Sequence, residues 1–148
     1  MWFRRDLRLA DNTALAAAAA RGRVVPLYVI DPALFGPAGA PRQAFLVAGL
    51  RALGASIGKR LVVRHGDPAS VVPALAAEVG ALDVFAAEDF GPYGRRRDGA
   101  VAAALQVLGG TLHLVGSNYA VAPGTVRKDD GTPYAVFTPF SRAWARIG

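Results

Sequence analysis

The sequence predicts an α/β domain: a Rossmann-like, doubly wound five-stranded parallel sheet with helices on both faces. Three observations predict it. Short apolar runs rich in β-branched and aromatic residues alternate with longer stretches of helical spacing. The connections between them are short, which favours right-handed crossovers onto a parallel sheet. The runs are nearly continuous in their apolarity, as strands buried on both faces are.

Trp2-Phe3 reads as the tail of a first strand that begins at Met1. The first helix runs from about Asn12 to Arg21, with Asp11 or Asn12 as its N-cap. The second strand falls within Arg23 to Ile30. The second helix spans about Arg42 to Gly58, with Phe45, Leu46, Leu50, Leu53 and Ile57 at helical spacing. Leu61 to Val63 is the third strand. Asp67-Pro68 opens the third helix, a capping residue followed by proline at the first helical position. Leu82 to Ala86 is the fourth strand. A fourth helix follows Gly94 and carries Val101, Leu105 and Leu108 on one face, and Thr111 to Val115 is the last strand. A strand order of 3-2-1-4-5 suits this alternation. After Val115 the pattern changes. Asn118 to Thr138 is rich in Pro, Gly and Asp, and Asp129-Asp130-Gly131 reads as a hairpin tip between Val126 to Lys128 and Tyr134 to Phe137. A short helix from Pro139 to Arg146 places Phe140 and Trp144 on one face. Residues 1–125 are expected to form the α/β domain, and residues 126–148 a hairpin and the start of a linker.

The length of 148 residues fits one domain. Hydrophobic residues make up 53%, much of it alanine, but no apolar run approaches the ~20 residues of a spanning helix. The absence of cysteine excludes a disulfide framework and thiolate metal sites. These features lead to the expectation of a cytoplasmic protein with no membrane and no metal partner. Net charge is +6, carried almost wholly by arginine, since Lys59 and Lys128 are the only lysines. Arginine suits bidentate anion recognition and stacking on flat rings. A basic surface also permits contact with nucleic acid.

Open parallel sheets bind ligands beyond the carboxyl ends of their strands, where strand order reverses. Three segments bring charge to that edge: Arg4-Arg5-Asp6-Leu7-Arg8, Asp31-Pro32, and Glu88 to Tyr93. Taken singly, Asp6 and Asp31 fit ion pairs or helix caps. Taken together at the switch point, the set fits a ligand site. Arg95-Arg96-Arg97 stand in a helical first turn, where the helix dipole disfavours each cation by a few tenths to ~1 kcal/mol. They are either offset by nearby carboxylates, held for an acidic partner, or solvated on an exposed turn. Neither a G-x-G-x-x-G nor a G-x-x-x-x-G-K-[ST] pattern occurs. His65 and His113 read as core or edge histidines, Tyr28 and Phe85 as strand residues of the core, and no Ser-His-Asp arrangement is visible. No catalytic residue is therefore expected.

The opening Trp2-Phe-Arg-Arg-Asp-Leu-Arg-Leu9 with Asp11-Asn12 resembles the first motif of the DNA photolyase and cryptochrome family. Tyr28-Val-Ile-Asp-Pro32, Pro41-Arg42, Gly66-Asp-Pro68, Tyr93-Gly-Arg-Arg-Arg-Asp98 and Tyr134-Ala-Val-Phe-Thr-Pro-Phe140 with Trp144 follow in the family's order and spacing. The resemblance covers essentially the whole chain. It implies the amino-terminal α/β domain, which binds a light-harvesting antenna, a deazaflavin or methenyltetrahydrofolate. In the family a further helical domain binds FAD and UV-damaged DNA, and excited reduced flavin splits the pyrimidine dimer. Asp89-Phe-Gly-Pro-Tyr-Gly-Arg-Arg-Arg-Asp98 resembles the deazaflavin-binding branch. By this resemblance Arg5, Asp31, Arg42 and Asp89 are antenna contacts, and Tyr28 and Phe35 line the ring pocket.

The implied function is the antenna-binding part of a deoxyribodipyrimidine photolyase, whose partners are DNA and its own FAD domain. By itself this chain is expected not to be catalytic. Two alternatives are the same domain of a cryptochrome photoreceptor and a free-standing nucleotide or small-ligand module. Relative to the family, the first strand is short at its amino end. Such a strand would leave neighbouring backbone groups to find other partners.

Overall fold

A computed structural model describes residues 1–147 of the chain. Its elements are β1 (Trp2–Phe3), α1 (Thr13–Arg21), β2 (Leu27–Ile30), α2 (Pro32–Phe35), α3 (Ala40–Ser56), β3 (Val62–His65), α4 (Pro68–Glu78), β4 (Asp83–Glu88), α5 (Pro92–Val107), β5 (Thr111–Ser117) and α6 (Phe137–Ile147). The expected alternation is present. The strands divide, however, into a three-stranded sheet ordered β1-β2-β3 and a two-stranded sheet of β4 and β5. β1 is parallel to β2, with Trp2 opposite Leu27 and Phe3 opposite Tyr28. β2 is parallel to β3 from Leu27 opposite Val62 to Ile30 opposite His65. β4 lies against β1 without pairing with it.

Side chains alternate across a strand. Along β2 this sends Leu27 and Val29 into a buried cluster with Trp2, Val72, Leu75, Val84, Ala86, Val101 and Leu105. α4 and α5 pack on each other to complete that cluster, while α1 packs along β4. α1 is capped by Asn12, whose Oδ1 accepts from the Leu15 N–H at 3.0 Å. Its Nδ2 donates to the Arg8 carbonyl at 3.1 Å. Asp11 does not cap: it turns the chain with a φ of 59°. Asp67 caps α4 as expected, accepting from the Ala69 N–H at 3.0 Å.

Several expectations are corrected. α5 begins at Pro92 rather than after Gly94, because the proline pre-sets the first helical turn. Phe45, placed by spacing on the apolar face of α3, is 83% exposed, whereas Leu50 and Leu53 are buried. Leu108 is the C-cap of α5 and half exposed. Around Asp129-Asp130-Gly131 there is a turn, closed by Lys128 donating to Thr132 and Gly131 to Lys128, but its flanks are not strands. Arg127 spends its guanidinium on the Gly124 and Gly131 carbonyls within this loop. The chain divides into two compact units, Met1–Gly116 and Ser117–Gly148. α6 forms in the second unit and exposes Phe137 and Ile147. Among the described residues no helix is long and apolar enough to cross a membrane.

His113 is accounted for by structure. Its Nε2 meets the Asp83 Oδ1 at 2.6 Å, and its ring stacks on Phe85 with centroids 4.6 Å apart. The hydrogen bond from His113, with Arg21 nearby, holds the Asp83 carboxyl below its ordinary value. A depressed carboxyl stabilises the fold above its unfolded pKa and loses that contribution as pH falls through its folded value. Asp83→Asn is therefore expected to lower the urea midpoint at neutral pH. The gap to the parent chain should close below pH ~3.8, the ordinary carboxyl value. A constant gap across that range would contradict the assignment.

Candidate functional site

The carboxyl ends of β1 and β2 open onto a cavity of about 270 Å³. Its apolar wall comes from Tyr28 and Ile30 at the end of β2, Leu34 and Phe35 of α2, and Phe45 and Leu46 of α3. Trp2, Arg4, Arg5, Asp31, Arg42 and Arg97 add the aromatic and polar groups. α2 is what the sequence reading missed. Asp31 terminates β2 and caps this one-turn helix, its Oδ1 accepting from the Ala33 N–H at 2.9 Å. The turn swings Phe35 back over the strand end, where its carbonyl accepts from Gln43 Nε2 at 3.0 Å.

Five of the six expected residues, Arg5, Tyr28, Asp31, Phe35 and Arg42, line this cavity together. Asp89 stands behind its wall. It is held by Arg97 at 3.4 Å and approached by Arg5 at 3.6 Å, and it accepts from the Gly91 N–H at 3.1 Å. Asp6 plays no part here: it binds its neighbour Arg8 at 2.9 Å.

Beneath the cavity lies an ionic cluster whose burial, and whose inclusion of Arg4, the sequence did not reveal. Arg4 and Arg97 both bind the Asp98 Oδ1, Arg97 at 2.9 Å, and the two guanidinium groups and the carboxylate are each at most 7% exposed. Arg4 also donates to the Ala87 carbonyl, tying the segment after β1 to the end of β4. The guanidinium carbons stand 4.7 Å (Arg4) and 5.2 Å (Arg97) from the Trp2 ring centroid, within cation–π range. Burial lowers the Arg4 pKa from its ordinary value, and the hydrogen bond to Asp98 opposes the shift. So the run Arg95-Arg96-Arg97 is not uniform. Arg97 points inward as the counterion of Asp89 and Asp98, while Arg95 and Arg96 are exposed. Of the readings open for this run, offset by the neighbouring carboxylates Asp98 and Asp89 holds for Arg97, while nothing in the sequence signalled that Arg4 shares Asp98.

Tyr93 closes the other side, donating its hydroxyl to the Asp31 Oδ2. Burial, then this bond and the Asp31 charge, push its phenol up to about 12. Burial likewise raises the Tyr28 phenol. For an acid whose folded pKa is raised, the contribution is complete below the unfolded value of 10.0 and vanishes as pH rises through about 12. Tyr93→Phe is expected to cost about 1.5 kcal/mol, the lower end for a hydrogen bond to a charged group. It should also remove the highest tyrosine step in an ultraviolet difference titration. Retention of that step would reassign it to another tyrosine.

The arrangement is suited to holding a flat polar ring: apolar and aromatic walls, a few fixed charged groups, and no paired nucleophile and base. A larger hollow of about 650 Å³ lies at the opposite, amino ends of the strands, against Met1 and Leu82. Two of its charged residues, Arg21 and Asp83, satisfy each other at 3.3 Å.

Comparison with known proteins agrees with this geometry. The model of the family described as DNA photolyase matches residues 1–148. A deoxyribodipyrimidine photo-lyase of Synechococcus is 39% identical over 149 residues, covering 97% of this chain and 31% of that protein. The crystal structure of a bacterial class III photolyase from Agrobacterium tumefaciens superposes with a TM-score of 0.88 at 36% identity. It covers 97% of this chain and 30% of that one. An archaeal photolyase from Sulfolobus tokodaii, solved with two FAD molecules, gives a TM-score of 0.81 at 25% identity, over 99% of this chain and 34% of that one. The chain spans about a third of the length of these relatives.

Proposed function

Because the chain belongs to the DNA photolyase family, we propose that it is the antenna-binding part of a light-driven deoxyribodipyrimidine photolyase. The observation that carries this reading is the cavity at the strand ends, where Tyr28 and Phe35 face the same space as Arg5, Asp31 and Arg42. An antenna transfers excitation through space and undergoes no bond change, so its site must fix a ring's orientation and exclude water. Rigid aromatic walls and pre-paired charges do this, and no general base is required.

In this reading a deazaflavin, or a folate, occupies the cavity. Asp31 and Arg42 fix its polar edge, and Asp89 acts at one remove by anchoring Arg5 and Arg97. FAD and the DNA lesion belong to a further domain of the full-length protein, docking beyond this chain. The strand layer is read as one doubly wound order, 3-2-1-4-5, because β4 lies beside β1. The chain's positive charge would speed DNA approach in a manner that fades with salt.

The test is a fluorescence titration of the chain with 8-hydroxy-5-deazaflavin and with methenyltetrahydrofolate, on the parent and on Asp89→Ala. Saturable one-to-one binding, weakened about ten-fold in the variant as expected for losing a charged positioning contact, supports the reading. In the full-length protein the same variant should leave repair driven by direct flavin excitation unchanged. Absence of binding of either ring by the parent chain overturns the proposal.

A further inference from the structure

The hollow of about 650 Å³ at the amino ends of the strands falls within the ~300–1,000 Å³ that encloses a ligand. Its walls are apolar: Val24 and Val25 before β2, Val72 and Leu75 of α4, and Val84 and Phe85 of β4. Two of these walls also present unpaired backbone. β4 pairs only with β5, so its edge toward β1 has no partner strand. On the β2 side, the Val25 carbonyl accepts from the Met1 amino group at 2.9 Å. The other backbone groups of Arg23, Val24 and Val25 have no partner among the described residues. Peptide groups set in apolar walls need hydrogen-bond partners, and a hydrocarbon cannot supply them. An added strand can, and on both sides at once. The rim is basic. Arg21 and Arg23 stand on it, both exposed. Arg21 shares Asp83, and among the described residues no carboxylate lies within ion-pair distance of Arg23.

We propose that this hollow docks an extended apolar peptide with an acidic amino end, laid as a strand between the segment before β2 and the free edge of β4. Its N–H and C=O groups pair with both edges, and its side chains alternate between Ala18 of α1 and Val72 and Leu75 of α4. A peptide parallel to β2, as β1 is, has its amino end at the rim, so its carboxylates meet Arg21 and Arg23. A helix is a poorer occupant, because its backbone is already satisfied and leaves both edges unpaired. This site lies at the opposite end of the sheet from the antenna cavity and does not depend on the antenna reading.

The probe is a synthetic peptide of two aspartates followed by alternating valines and isoleucines, with a fluorophore at its amino end. It is titrated into the 148-residue chain and followed by fluorescence anisotropy. Saturable one-to-one binding is expected, with slowed amide hydrogen exchange at residues 23–25 and along β4. Lysines in place of the two aspartates should weaken binding about ten-fold, and so should Arg23→Glu in the chain. Arg23 is exposed, and an unchanged urea midpoint without peptide confirms that the variant folds. N-methylation of alternate nitrogens in the apolar part removes the donors to one edge and should weaken binding by about ten-fold or more. Absence of binding up to about 1 mM peptide overturns the proposal. Equal affinities of the aspartate and lysine peptides, equal affinity of the N-methylated peptide, or protection confined to other segments also overturn it. Capture of decanoate in the hollow without binding of the peptide overturns it in favour of a small apolar acid. Dimerisation that protects the same residues and that the peptide does not reverse overturns it in favour of a second copy of the chain.

Discussion

Replacing Asp98 with alanine is expected to destabilise the fold by about 3–5 kcal/mol, the usual consequence of removing one partner from a buried ion cluster. The side chain is 4% exposed, and Arg4 and Arg97, each 7% exposed, both depend on it. Arg4 keeps the Ala87 carbonyl and Arg97 keeps Asp89, which places the expected loss toward the lower end. The Asp98 Oδ2 has no hydrogen-bond partner, so the carboxylate is itself only half satisfied. That asymmetry yields a second expectation. Asp98→Asn keeps a carbonyl oxygen for the guanidinium groups and should lose clearly less than the alanine variant. Urea denaturation with a shared slope separates the three chains. Equal midpoints for parent and alanine variant would show that the cluster contributes no net stability.

Gly94→Ala is expected to disable the site through its supporting layer. A Cβ at Gly94 would stand 2.6 Å from the Asp89 Oδ2 and 2.7 Å from the Asp89 Cβ. The conflict reaches the Asp89 Cβ as well as the carboxylate, so rotating the side chain cannot relieve it, and the β4–α5 connection must shift. Overpacking of this kind costs about 1–3 kcal/mol. It would also pull Asp89 from Arg97 and Arg5. The expected outcome is a folded chain with lowered stability and an antenna affinity reduced at least about ten-fold. Titration and denaturation of the same variant check both parts. Full affinity in a folded Gly94→Ala chain would mean that Asp89 does not support the ligand.

Much of the fold could be read from local chemistry. Apolar β-branched runs placed β2, β4 and β5 within a few residues, and Asp67-Pro68 placed the start of α4. The carboxyl ends of the strands pointed to Arg5, Asp31 and Asp89, and the family motifs added Tyr28, Phe35 and Arg42. Failures occurred where a residue's role depended on a distant partner. Phe45 is grouped by spacing with Leu50 and Leu53, but spacing cannot say that the second turn of α3 overhangs a cavity. The turn at Asp129-Asp130-Gly131 has hairpin chemistry, but the segments on either side have no sheet to join.

By itself the sequence determined the alternation of elements, the caps, the basic charge and the membership of several short motifs in one order. These depend on residues close together in the chain. Only the tertiary structure decided which arginines face each other across it. Arg4 and Arg97 are far apart in sequence yet share one buried carboxylate beside Trp2, while Arg95 and Arg96 of the same run remain exposed. The difference between an inward counterion and an outward charge is a difference in burial. Burial is set by what the rest of the chain packs against a residue.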